Sequence, residues 1–190
     1  QILVYHANGE VFMNPGEPQS QELILQAVEE LVENYDLAGI HYDDYFYPDG
    51  DFEDGETYAK YGAGYASIED WRRSNVDTLI KETYDLVKTS GKDMLFGVSP
   101  SGVWADKASN PLGSNTYGGT ESYYRHYADS RKWVKEGWVD YLTPQIYWNI
   151  GYESADYAVL ANWWQDVAKG TKVKLYPGLA LYKLGDAAQS

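Results

Sequence analysis

Four short apolar runs, each turning polar and aromatic towards its end, alternate with stretches of helical periodicity, and this alternation is what most constrains the fold. The runs cover residues 39–48, 94–100, 139–148 and 174–182. Strands separated by helices predict a parallel sheet with helices outside it. No run is followed by a Gly-x-Gly-x-x-Gly or phosphate-loop pattern, which disfavours a nucleotide fold and favours a (β/α) barrel. Four parallel strands are too few to close an eight-stranded barrel, for which about 250 residues is typical. The expectation is therefore an α/β fold, a partial (β/α)8 TIM barrel forming a single domain over residues 1–190, without the early strands and the last one. Its apolar edges would need cover from an omitted segment or another chain.

The helices read from periodicity and caps. A first is expected over 21–35 behind Ser20, with Leu23, Ala27, Val28, Leu31, Val32 and Tyr35 on one face. A second is capped by Ser67 and buries Trp71, Val76, Leu79, Ile80, Thr83 and Val87 before Gly91 ends it. A third is expected from Glu121 to about Glu136 behind Thr120, and a fourth from Ser154 to Ala168. Near the N-terminus, runs 2–5 and 11–13 flank Asn8-Gly9 and predict a β-hairpin insertion. The acidic stretch 49–56 does not complete a calcium loop, because Asp54 stands where glycine is required and no closing Glu follows at the right offset. It reads as a solvated loop continuing through 58–65; no metal or cofactor is expected.

The formal charge of -14 repels phosphate, which argues against nucleic acid or anionic membranes as partners and for a neutral ligand. No run is long enough to span a bilayer, so the chain reads as soluble, and its start at Gln1 reads as a mature chain or an excised piece. The absence of cysteine removes disulfides and thiolate sites. Nineteen Tyr and seven Trp supply flat amphipathic surfaces, suited to stacking on sugar rings or to filling a core.

In the first run, Gly39-Ile40-His41-Tyr42-Asp43-Asp44-Tyr45, side chains alternate, so His41, Asp43 and Tyr45 share one face while Ile40, Tyr42 and Asp44 share the other. Ile40 and Tyr42 suit packing on helices, which turns Asp43 into the cleft; Asp44 joins it only if the strand twists or bulges at its end. The competing reading is an Asx turn closing a strand before Tyr47-Pro48.

The segment 38–48, with Met13-Asn14-Pro15-Gly16, Arg72-Arg73-Ser74-Asn75-Val76, Gly97-Val98-Ser99-Pro100-Ser101-Gly102 and Thr143-Pro144-Gln145-Ile146-Tyr147-Trp148, resembles the glycosyl-hydrolase-like ten family of bacterial (β/α) barrels. The resemblance covers nearly the whole chain. It implies a periplasmic, cell-surface or secreted protein, often lipid-anchored, whose partner is an oligosaccharide or polysaccharide such as a cell-wall glycan strand. That family commonly has Asp where this chain has Ala38, so one polar support of the strand is not expected here.

Glycoside cleavage needs one carboxyl group to protonate the leaving oxygen and another to act as nucleophile or base. Asp43 is the expected nucleophile or base. Asp44 is the nearest second carboxyl, with Glu121, Asp106 or a residue outside this chain as alternatives. Gln145, Tyr147 and Asn149 share an alternating face at the end of the third run and can bind sugar hydroxyls or cap a strand. Trp104, Trp148 and Tyr45 are candidate stacking platforms or core residues; Ser99 and His41 join the binding set, where His41 orients Asp43 or is a satisfied core histidine. A chitinase-type barrel needs Glu two residues past the inward Asp, where this chain has Tyr45. A non-catalytic glycan-binding barrel remains the alternative from another class.

Overall fold

A computed structural model of the chain describes residues 2–5, 9–44 and 46–185. The two strands β1 (Leu3–Tyr5) and β2 (Val11–Met13) pair antiparallel, as the hairpin reading requires; Asn8 of the expected turn lies outside the described residues. Helix α1 (Pro18–Asn34) leads into β3 (Gly39–Asp43), and α2 (Gly55–Tyr61) and α3 (Ile68–Thr89) carry the chain to β4 (Leu95–Ser99). Two short helices, α4 (Ser122–Arg125) and α5 (Ser130–Glu136), precede β5 (Tyr141–Leu142), and α6 (Tyr157–Ala168) precedes β6 (Lys174–Leu175). The four later strands form one parallel sheet in the order β3-β4-β5-β6. Each strand pairs with the next in sequence, so the sheet lacks the reversal of order that marks a doubly wound nucleotide fold.

One face of this sheet is dry. Phe96, Val98 and Leu142 are fully buried there, against Val76, Ile80 and Val87 of α3, Trp133 and Val134 of α5, and Leu160 and Trp164 of α6. Each such side chain contributes about 1.5–3 kcal/mol relative to exposure. Tyr42 joins this face at half burial, with its hydroxyl 2.9 Å from Thr83 Oγ1 and its ring edge-on to Phe96. The opposite face carries His41, Asp43, Ser99 and Tyr141, and lies open beside Leu95 and Tyr176.

The structure corrects several expectations. Helix α1 starts at Pro18, at its N1 or N2 position, so Ser20 lies inside the helix, where its hydroxyl donates to the Ile2 carbonyl. Residues 55–61 are helical, not loop; the flanking glycines hide a helix of only seven residues. The single helix expected behind Thr120 is broken at Tyr127, which takes φ 54°. That left-handed turn places the Tyr127 hydroxyl 2.8 Å from Arg72 Nη1 and its ring against Tyr47, and Asp129 recaps the chain by accepting from the Lys132 amide. Asp156, not Ser154, caps α6. The third and fourth runs keep only two residues each in regular strand, because Pro144 and Pro177 cannot donate to a ladder; the pairing resumes as the bridges of Gln145 to Ser101 and to Gly178.

In the acidic stretch Asp49, Asp51, Glu53 and Glu56 are exposed, as a solvated segment requires, whereas Asp54 is buried and paired. Arg72 forks onto Asp54 with contacts of 2.9 and 2.5 Å and donates to the Phe52 carbonyl, while Asp49 faces Arg125 and His126. Among the described residues no group of three or more His, Asp or Glu side chains is arranged to hold a metal, and no helix is long and apolar enough to cross a membrane.

Candidate active site

The register of the sheet builds the site in two levels. His41 pairs with Gly97 and Gly97 with Tyr141; one level up, Asp43 pairs with Ser99. Beyond the regular strand, the Gln145 amide donates to the Pro100 carbonyl and its own carbonyl accepts from Gly102, which seats Gln145 beside the end of β4. Its side chain then turns back, donating to the Ser99 carbonyl at 2.7 Å and to Asp43 Oδ1 at 2.9 Å.

Asp43 Oδ1 also accepts from the Ser99 hydroxyl at 3.1 Å and from the Asp44 amide at 3.2 Å. Among the described residues, every hydrogen bond to this carboxyl falls on Oδ1, and Oδ2 is left to the open face. The Ser99 hydroxyl lies 2.9 Å from His41 Nε2, and His41 Nδ1 lies 3.0 Å from the Tyr141 hydroxyl, the two rings stacking at 5.7 Å. Burial lowers the His41 pKa against the opposing pull of Asp43, so the imidazole is neutral near pH 7. Burial, with Asp140 nearby, raises that of Tyr141, which stays a donor.

Asp44 points away from this group, as alternation requires. It is 5% exposed, accepts from the Ser101 amide and lies near His126, whose buried Nδ1 has no partner among the described residues. Burial raises its pKa, with the charge of Asp43 adding to the effect and His126 and the Ser101 amide opposing it. The folded chain therefore holds this proton more tightly than the unfolded chain, and stability falls as pH rises from about 3.8 through the raised value. Asp44→Asn is expected to remove that loss. Urea midpoints measured from pH 4 to 8 should separate progressively in favour of the variant; midpoints that stay parallel would dismiss burial as the controlling cause.

The other expected residues are placed as follows. Trp104 is corrected from a stacking platform to a core residue: it is 3% exposed, tilted against Tyr123 and stacked at 5.9 Å on Trp163, with its indole N–H donated to Asp129. Trp148 is half-buried against the core, and the Tyr147 ring meets Tyr182 edge-on. Asn149 serves its own turn, donating to the Ile150 carbonyl and accepting from the Tyr152 amide. Glu121 and Asp106 staple the loop after β4, Glu121 accepting from the Asp106 amide and Asp106 from Thr116 and Gly118. Tyr45 lies outside the described residues. Sequence reading missed Tyr141, whose only signal is the Gly97 opposite it, and His126 behind Asp44.

The profile of a family described as "Glycosyl hydrolase-like 10" matches residues 1–190. The chain is 42% identical over 182 residues to "Glycosyl hydrolase YngK" of Bacillus subtilis, covering 93% of this chain and 36% of that protein. It is 44% identical over 180 residues to "Glycosyl hydrolase DigH" of Escherichia coli K12, covering 93% of this chain and 41% of that protein. The chain thus spans well under half the length of these curated relatives.

Proposed function

The chain belongs to the glycosyl hydrolase-like 10 family, and from that premise we propose that it carries the carboxylate of a glycoside hydrolase acting on a polysaccharide or cell-wall glycan. The observation that carries this reading is Asp43, at the C-terminal end of a parallel strand, with one oxygen held by three donors and the other without a partner among the described residues. A carboxylate fixed in this way is prepared to attack an anomeric carbon or to take a proton from water. Asp44 is the second carboxyl; burial raises its pKa, the direction required of a group that gives a proton to the leaving oxygen. Gln145 supports the charge on Asp43, and Tyr147, Trp148 and Asn149 border the sugar. The four strands form an arc of a (β/α)8 barrel, with closure supplied by polypeptide beyond these residues or by another chain. Their unbroken sequential order and the greater length of the relatives support this. A glycan substrate outside the cytoplasm, in the periplasm, at the cell surface or in secretion, fits the strongly negative charge, which disfavours polyanions.

A non-catalytic glycan receptor is the second reading, favoured by one observation: at 5% exposure Asp44 offers little surface to a leaving oxygen. Incubation of the protein with cell-wall and plant glycans, following both reducing ends and binding, separates the two. Turnover of at least one glycan is expected. Binding across the panel with no new reducing ends would leave a receptor.

A further inference from the structure

We propose that Tyr141, His41 and Ser99 form a positioning relay that holds Oδ1 of Asp43 and thereby selects Oδ2 as the reacting oxygen, with Gly97 as the position that admits the Tyr141 ring. The Ser99 hydroxyl has two acceptors in reach, Asp43 Oδ1 at 3.1 Å and the Tyr42 carbonyl at 3.5 Å, and the shorter contact, to a charged carboxylate that only accepts, takes its single proton. The Ser99 oxygen then accepts from His41 Nε2–H at 2.9 Å, which assigns the proton of the neutral imidazole to Nε2. Nδ1 is left as an acceptor and takes the Tyr141 hydroxyl proton at 3.0 Å. With the Ser99 proton on its shorter contact, all the bonds of the relay run towards Asp43.

The relay depends on a gap in the middle strand. A Cβ at Gly97 would stand 2.2 Å from the Tyr141 ring, so only glycine lets that ring lie across β4 to reach β3. Three strands are tied by side chains at the level where their backbones are already in register. His41 therefore acts on Asp43 through Ser99, as a positioning residue rather than as a group that touches substrate.

The relay rests on the glycosidase reading for its kinetic arm alone. The structural arm is the 15N spectrum of the imidazoles near pH 7, with His41 identified by its loss in His41→Gln. A protonated Nε2 and an acceptor Nδ1 are expected, with the Nδ1 resonance displaced in the isosteric Tyr141→Phe and in Gly97→Ala. A proton on Nδ1 in the wild type, or a spectrum unmoved by Tyr141→Phe, would overturn the relay. In the kinetic arm, Tyr141→Phe and Ser99→Ala should lower kcat about 10- to 100-fold with KM little changed. Ser99→Thr, which keeps the hydroxyl, should restore most of the rate. Equal loss in Ser99→Ala and Ser99→Thr, or a loss confined to KM, would also overturn it. Should the wild type turn over no glycan, the glycosidase reading fails and the spectrum still decides the relay.

Discussion

Asp43→Asn should lower kcat by about 10³-fold or more while glycan affinity changes by less than about tenfold. The substitution keeps the size and planarity of the side chain, and an amide oxygen can take the place of Oδ1 under Ser99, Gln145 and the Asp44 amide. What it removes is the negative charge and the oxygen proposed to react. Binding contacts made by neighbouring residues survive, so the loss should fall on the chemical step. Burst or single-turnover kinetics beside isothermal binding would measure both. Turnover within about tenfold of wild type would sink the assignment of Asp43, and matched losses of affinity and rate would reduce it to a binding residue.

The largest effect on stability is expected at Arg72. Its guanidinium forks onto Asp54, donates to the Phe52 carbonyl and the Tyr127 hydroxyl, and lies over the rings of Tyr47 and Tyr127. Asp54 is 1% exposed, and Arg72→Met would strand its charge in the interior. Breaking a buried pair from one side costs about 3–5 kcal/mol, or roughly 10 °C in melting temperature for a chain of this size. Adding Asp54→Leu should recover much of the loss, since the penalty is an unpaired charge rather than missing attraction. A single variant that melts within about 2 °C of wild type would contradict this account. Because the fork also holds Tyr127 in its left-handed turn, the segment carrying His126 behind Asp44 should loosen with it.

The path from sequence to site was readable where structure is periodic. The faces of β3 follow from alternation, which placed Asp43 on the open face and Asp44 on the buried one because the strand stays in register up to Asp43 opposite Ser99. The parallel order followed from the succession of strands and helices. What periodicity could not give was contact between distant segments. Trp104 stands just past a strand end, where an aromatic suits a cleft, but Tyr123 and Trp163, distant in the chain, close over it. Tyr124, Tyr127, Ala128, Arg131 and Val134 invite one long helix, yet the bond from Arg72 to Tyr127 favours a break. Tyr141 carries no local mark of its role, which is created by the Cβ that Gly97 lacks.

The sequential order of the sheet also bears on how the chain is made. Within the parallel sheet, β4, β5 and β6 each pair with the strand synthesised before them, and the stretch of chain between partners shortens from the first pair to the last. No strand waits for a later one to slip between it and an earlier neighbour, so growth can follow emergence from the ribosome, each new β-α unit docking on an edge already laid down. His41, Ser99 and Asp43 are in place once the second of the four strands has paired, and Tyr141 and Gln145 arrive with the third. On this order the carboxylate is framed before its last two supports are translated.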